Sequence, residues 1–269
     1  MERRQFIGSA AALGASTLLA AGCAGTAPAA GAKKNFVLVH GAWHGAWSWE
    51  RVAPRLRAAG HAVHTPVLAG VGERYGEIST AIDLDTHIAD VVSLIRARDL
   101  RDIVLVGHSY GGFPVTGTVD RLAAERRIDT VIYLDAFVPR HGERLFDWLD
   151  ARGKAAMEAS RRAGDPRWPK LPARAFGISN PDDIAWVDAR LTDHPNGSYL
   201  QPLRLSGPPA AAVRKRVYIA AQQPAMPVFD STKARVRSDP AWTWREIAGG
   251  HDAMVDHAAE VARLFLDNL

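Results

Sequence analysis

Two short glycine-containing sequences carry residue types suited to nucleophilic chemistry. GHSYGG (107–112) has the pattern Gly-x-Ser-x-Gly around Ser109, and AGGHDAM (248–254) contains His251. A serine hydroxyl is a weak nucleophile unless a base takes its proton and an acid orients that base. The sequence therefore predicts a serine nucleophile with a histidine base, and it leaves a carboxylate to be found.

The elements that flank these sequences should bring Ser109 and His251 together. The apolar run DIVLVG (102–107) predicts a strand that leads into GHSYGG, and a helix is predicted from about Tyr110 to Arg126. His251 directly follows the last predicted strand, WTWREIA (242–248). Ligands gather at the carboxyl edge of a parallel sheet, so we expect both side chains at that edge.

Short apolar runs alternate with amphipathic stretches along the chain and predict an α/β fold. Further strands are predicted at 36–40, 61–66, 130–137 and 216–221, and further helices at 49–60, 85–98 and 257–269. This alternation indicates a mainly parallel sheet with helices on both faces. The proline-rich stretch 139–213 is too long for a bare loop, so we predict a helical lid insertion within a domain spanning 35–269.

Composition gives little support to nucleic-acid or metal binding. The 269 residues include 33 basic and 29 acidic side chains, for a net charge of +4, without a long basic run or zinc-finger spacing. The histidines show no convincing zinc-ligand spacing. We therefore expect no nucleic-acid partner, no metal and no cofactor, and the oligomeric state is left open.

The N-terminus has the features of an export signal. Arg3-Arg4 precede an uncharged run, and RRQFI resembles a twin-arginine signal. The run ends in AAGC at Cys23, the one cysteine, which resembles a lipobox with alanine where leucine is preferred. We therefore predict a signal at 1–22, a tether at 23–34, and export to the periplasm or cell envelope with lipidation of Cys23. A plain signal peptide that happens to contain a cysteine is the alternative.

A second glycine-containing loop, HGAWHGAW (40–47), follows the first strand. Backbone N–H groups in such a loop can stabilise an oxyanion, so we predict an oxyanion hole from the N–H groups of Ala42 and Tyr110. Aromatic side chains near this edge predict an apolar substrate pocket. The predicted lining residues are Trp43, Phe113 and Phe137, with Trp148, Trp186 or Tyr199 from the lid.

The chain resembles the α/β-hydrolase superfamily, and within it the branch of plant hydroxynitrile lyases, plant methylesterases and related bacterial esterases. The resemblance runs from about Phe36 to the C-terminus and rests on five pieces: FVLVHGAWHGAWSW, TPVLAGVGER, LVGHSYGG, YLDAFVP and GGHDAM. It implies an α/β-hydrolase fold and Ser-His-Asp chemistry without a cofactor. The lid matches only loosely.

Two departures from the branch bear on the reaction. Hydroxynitrile lyases of this branch carry a threonine and a lysine where this chain has Gly41 and Asp252. Without the lysine ammonium a leaving cyanide has no positive partner, which disfavours the lyase reaction. Ester hydrolysis needs only the oxyanion hole and a water molecule, so it is favoured.

The position of the acid is a third departure. In the plant relatives the acid follows the strand equivalent to RVYIAA, but here that place reads QQPA (222–225). Asp135, which ends the strand after the nucleophile helix in YLDAF, is the favoured substitute, because some α/β-hydrolase families place their acid at the end of this strand. Asp230 in PVFDSTKAR is the alternative.

These residues predict a two-step hydrolysis of carboxylic esters. His251 takes the proton of Ser109, the serine attacks the ester carbonyl, and a water molecule activated by His251 releases the acid. The aromatic side chains favour small to medium esters with apolar or aromatic groups. Two alternatives are another reaction on the same triad, such as that of a cofactor-free haloperoxidase, and a non-catalytic ligand-binding protein.

Overall fold

The computed structural model describes residues 1–2, 33–207 and 212–269. Most of the predicted export signal and of the tether, including Cys23, lies outside the described residues. None of the helices within the described ranges combines the length and the apolar character that a membrane crossing needs.

Six strands form one parallel sheet in the order β2–β1–β3–β4–β7–β8. Its strands are β1 (Asn35–Val39), β2 (Ala62–His64), β3 (Ile103–His108), β4 (Ile128–Leu134), β7 (Lys215–Ala221) and β8 (Thr243–Ile247). β3 is buried along its whole length. Strands covered on both faces read as continuous apolar runs, which is why the sequence revealed them. The predicted parallel sheet is confirmed.

Helices cover both faces of this sheet. They are α1 (Ala53–Ala58), α2 (Leu84–Ala97), α3 (Gly112–Arg121), α7 (Asp230–Arg237), α8 (Ala253–Asp256) and α9 (Ala258–Leu266). The side chain of Asp83 caps α2 by accepting from the Thr86 N–H at 2.9 Å. Side chains that alternate along a strand enter different cores, so Val37 packs in the core that contains Phe113 and Leu38 in the core that contains Phe265.

The segment between β4 and β7 forms the predicted insertion. It contains α4 (Ala151–Arg162), α5 (Pro181–Asp188), α6 (Gly197–Leu200) and a two-stranded antiparallel sheet of β5 (Arg167–Trp168) and β6 (His194–Pro195). Its side chains contribute to the cavity described below.

Two element boundaries differ from the sequence prediction where the chain makes a turn. β4 ends at Leu134 rather than at residue 137, because Asp135 has φ of 40° and leaves the sheet. α3 begins only at Gly112, because residues Ser109–Gly111 form a 3-10 turn. Both turns lie at the edge that carries the candidate site.

Candidate active site

Ser109 lies in a strained turn between β3 and α3. Its φ of 54° is in the left-handed region that side chains rarely adopt. A Cβ atom at Gly107 would lie 2.8 Å from the Gly111 carbonyl oxygen, so the turn closes only with glycine there. The Phe137 N–H donates to the Ser109 carbonyl at 3.2 Å and connects this turn to the loop after β4.

Ser109 and His251 line the same cavity, as their positions in the sequence predicted. Among the described residues, no hydrogen bond joins the Ser109 hydroxyl to the His251 ring. Such bonds are often long before substrate binds. The His251 ring stacks on Phe229 with ring centroids 5.0 Å apart, and its backbone carbonyl accepts from His108 Nε2 at 3.0 Å. The ring is therefore held at the cavity wall.

Asp135 contacts His251 in the buried region behind the cavity. Asp135 Oδ2 lies 2.7 Å from His251 Nδ1, and the aspartate is fully buried. Its other oxygen accepts from the Ala221 N–H at 3.2 Å and from Lys233 Nζ at 2.7 Å. Burial opposes ionisation, but the hydrogen bond from His251 and the charges of His251 and Lys233 hold the pKa of Asp135 below its usual value.

The alternative acid does not reach the histidine. Asp230 is exposed at the start of α7 and makes no hydrogen bond to His251. Gln222, Gln223 and Pro224 form an exposed loop after β7. The stretch PVFDSTKAR instead contributes Lys233, whose contact with Asp135 has no local signal in the sequence.

The proposed oxyanion donors are available. The N–H groups of Ala42 and Tyr110 donate to no other described residue. A Cβ atom at Gly41 would lie 3.0 Å from Ser109 Cβ, which shows how closely this loop approaches the serine. His40 supports the loop through its ring, which contacts the Gly41 carbonyl at 2.9 Å and accepts from the Leu68 N–H at 3.1 Å.

A buried ion pair joins the loop after β1 to the loop after β8. The two ring nitrogens of His44 lie 2.7 Å from the Ala42 carbonyl oxygen and 2.9 Å from Asp252 Oδ2. Both nitrogens face acceptors, so both carry hydrogen and the ring is a cation. Burial opposes this charge, but Asp252 raises the pKa of His44. Asp252 therefore turns toward His44 and is absent from the cavity lining.

The cavity has a volume of about 250 Å³ and an aromatic lining. The predicted Trp43, Phe137, Trp148 and Tyr199 line it. Further lining side chains, not predicted from the sequence, are Leu145, Leu149, Trp168, Leu171, Phe176, Met226, Val228 and Phe229. Apart from His251, the described lining residues include no histidine, aspartate, glutamate, lysine or arginine.

Two predicted lining residues lie elsewhere. Phe113 is fully buried and absent from the lining, because it packs beneath the cavity against Phe137 and Trp148 at centroid distances of 5.9 and 5.8 Å. Trp186 is also absent from the lining, since it packs edge-on against Trp47 with the ring centroids 5.3 Å apart. Its apolar surface contributes to a separate cluster under α5.

Near the site, His108, His251 and Asp252 each offer one potential metal-ligand atom, and these three atoms lie within 4.8 Å of one another. His108 Nε2 donates to the His251 carbonyl, His251 Nδ1 contacts Asp135, and Asp252 Oδ2 contacts His44. Burial, and to a lesser degree the nearby His251, lower the pKa of His108 to about 3. One atom of each group therefore has a partner within the protein, whereas His108 Nδ1 and Asp252 Oδ1 are buried without a hydrogen-bond partner among the described residues.

Fold and site together define the class of protein. The chain belongs to the alpha/beta hydrolase family, whose sequence profile it matches over residues 36–264. An extracellular alpha/beta-hydrolase from a Paenibacillus species superposes with a TM-score of 0.75 at 24% identity, over 87% of this chain and 98% of that one. At that identity the superposition shows the fold alone.

Two relatives indicate more specifically what kind of hydrolase the chain is. The chain is 39% identical over 239 residues to a carbendazim-hydrolysing esterase from Nocardioides, covering 85% of this chain and 96% of that one. It is 36% identical over 190 residues to salicylic acid-binding protein 2 from Nicotiana tabacum, covering 63% and 70%. The chain is a carboxylic ester hydrolase of this family.

Proposed function

We propose that Ser109, His251 and Asp135 form the catalytic triad of this ester hydrolase. The observation that carries the proposal is the buried 2.7 Å contact between His251 Nδ1 and Asp135 Oδ2, with Ser109 on the same cavity. A carboxylate in that position holds the ring in the tautomer whose Nε2 accepts a proton from the serine.

The proposed reaction proceeds through an acyl-enzyme. His251 removes the proton from Ser109 as the serine attacks the ester carbonyl, and the N–H groups of Ala42 and Tyr110 stabilise the oxyanion. His251 then protonates the leaving alcohol. A water molecule that the same ring deprotonates attacks the acyl group, the bond between the acyl group and the Ser109 oxygen breaks, and His251 returns its proton to that oxygen as the acid leaves.

An irreversible fluorophosphonate probe tests the nucleophile and the base. We expect the wild type to be labelled, Ser109→Ala to be unlabelled and His251→Asn to react far more slowly. Ser238→Ala and His257→Asn are the matched controls, because both side chains are remote from the cavity lining. Wild-type labelling of Ser109→Ala would overturn the proposal.

We further propose that the substrate is a small or medium, uncharged ester with an apolar or aromatic group. The aromatic lining and the absence of fixed charge among the described lining residues support this, because a buried ionic group would lose its hydration without gaining a partner. An ester panel that varies acyl and alcohol groups separately, with carbendazim included, tests it. Faster turnover of carboxylate-bearing esters than of neutral ones would contradict it.

We also propose that the protein is exported and lipidated at Cys23, on the basis of the RRQFI and AAGC sequences. Metabolic labelling with a fatty acid should mark the wild type and not Cys23→Ala. Because Cys23 is the one cysteine, the substitution removes every thiol from the chain. Equal labelling of both proteins would exclude the lipoprotein assignment.

A further inference from the structure

A lysine side chain contacts the carboxylate that faces His251. Lys233 Nζ lies 2.7 Å from Asp135 Oδ1, while His251 Nδ1 lies 2.7 Å from Oδ2 of the same carboxylate. The ammonium also donates to the Ala221 carbonyl at 3.1 Å and lies 5.8 Å from the centroid of the Phe229 ring. The lysine side chain is 13% exposed, so solvent screens this pair much less than a surface ion pair.

We propose that Lys233 is a positioning residue that sets the pH range of the reaction through Asp135. The proposal rests on the proposed triad. Lys233 holds Oδ1, which leaves Oδ2 directed at the histidine ring. Its positive charge also offsets part of the negative charge that the ring experiences.

The electrostatic consequence follows from the sharing of one carboxylate by two cationic partners. During the reaction His251 becomes an imidazolium, which an aspartate stabilises. A second cation on the same carboxylate weakens that stabilisation, because it offsets part of the negative charge that favours the imidazolium. Lys233 also favours the ionised form of Asp135 in acid. Both effects extend the active pH range toward acid.

Other charged or titratable groups face His251, and they stay in place when Lys233 is changed. The His108 ring from β3 lies 4.6 Å from the His251 ring, and its lowered pKa keeps it neutral. Asp252, on the same loop as His251, is paired with His44. Phe229 and Phe176, the other aromatic residues paired with the ring among the described residues, are apolar. A shift in the pH profile of a Lys233 variant therefore reports the removed ammonium.

The test measures kcat/KM for a neutral ester from about pH 4.5 to about pH 9. Lys233→Gln and Lys233→Met remove the charge, and the glutamine amide can still donate to Asp135. We expect the acidic limb of both profiles to move upward by about one pH unit. Lys233→Arg should keep the limb at its wild-type position. Lys154→Gln is the control, since this lysine belongs to α4 and lies 5.9 Å from the Phe146 ring.

The possible outcomes are distinct. The proposal would be overturned if Lys233→Gln and Lys233→Met folded but the acidic limb of their pH profiles stayed at its wild-type position, even if their thermal stability fell. Failure of both neutral variants to fold, while Lys233→Arg folds, would also overturn it, because the cation would then be structural. Full activity of Asp135→Asn would reject the proposed triad rather than the contact between Lys233 and Asp135, so the two failures can be told apart.

Discussion

Asp135 has a backbone conformation that aspartate rarely adopts. With φ of 40° the residue leaves β4 immediately after the strand ends, and its N–H still donates to the Ile219 carbonyl at 2.8 Å. Left-handed backbone costs free energy and persists where the surroundings enforce it. Here the turn directs the carboxylate between His251 and Lys233.

The first prediction concerns this carboxylate. Asp135→Asn should lower kcat by about 10⁴-fold with little change in fold, because the amide cannot hold the histidine in the reactive tautomer. The measurement is steady-state kinetics beside a circular dichroism spectrum. Asp230→Asn is the matched control and should stay near wild type. If Asp230→Asn lost activity and Asp135→Asn did not, the acid would be misassigned.

Ser109 and His251 could be predicted from the sequence because strand ends define their position. Ser109 directly follows β3, His251 lies in the short loop after β8, and the structure places both on one cavity. Phe113 was misplaced because the sequence gives the residue after the turn but not the direction of its side chain. Lys233 has no local signal in the sequence, because its contact with Asp135 forms only in the assembled fold.

At the scale of elements, the loops after β1 and β8 are connected by the buried pair of His44 and Asp252, with side chains 2% and 0% exposed. One of these loops carries the proposed oxyanion donor Ala42, and the other carries His251. The pair therefore helps to hold Ala42 and His251 in place relative to each other.

The second prediction follows from the burial of this pair. Asp252→Asn leaves the His44 cation without its counter-ion, so we expect a loss of about 3 kcal/mol in the free energy of unfolding. Asp256→Asn is the control, since its pair with His257 is more exposed and should contribute less than about 1 kcal/mol. Denaturant unfolding measures both. Equal, small losses would contradict the buried-cation assignment.

The third prediction concerns the insertion between β4 and β7. Trp168 lines the cavity, and its carbonyl accepts from Trp43 Nε1 at 3.2 Å. Trp168→Ala should raise KM for aromatic esters about tenfold or more, because it removes apolar contact area from the substrate. Trp186→Ala, whose side chain packs outside the cavity, should leave KM unchanged. Equal KM values in the two variants would exclude Trp168 from substrate binding.

At the scale of the whole molecule, His194 and three further buried histidines have lowered pKa values. Burial is the main cause and lowers the pKa of His40 to about 3, of His87 to about 4 and of His108 to about 3. In the unfolded chain these rings titrate near pH 6.5. Below that pH the unfolded state binds protons that the folded state does not bind, so acid favours unfolding.

The fourth prediction is a loss of stability between about pH 6.5 and about pH 4. Each of the three rings should cost about 2 kcal/mol at pH 5 relative to neutral pH. His44 acts in the opposite direction, because its pKa is raised and its contribution is lost as the pH rises. Denaturant titrations at several pH values measure the summed effect of these histidines on the free energy of unfolding. Unfolding free energies that stay level from pH 7 to pH 5 would contradict it.

The sequence predicts the strands and helices more completely than it predicts the contacts within the site. Buried parallel strands are continuous apolar runs, so the positions of β1, β3, β4, β7 and β8 are close to those inferred from the sequence. The pairing of His44 with Asp252 connects residues 208 positions apart and has no local signal. Local patterns specify elements, whereas contacts between loops depend on the assembled sheet.

The order of the proposed triad along the chain has a consequence for how the enzyme can be modified. Ser109 and Asp135 directly follow the adjacent strands β3 and β4, and both precede the insertion between β4 and β7. The insertion supplies cavity walls such as Trp148, Trp168 and Tyr199 but neither the nucleophile nor its acid. Recombination within that segment would therefore exchange the residues that line the pocket. The proposed nucleophile and acid would stay together, because both belong to the continuous β3–α3–β4 unit and its flanking turns.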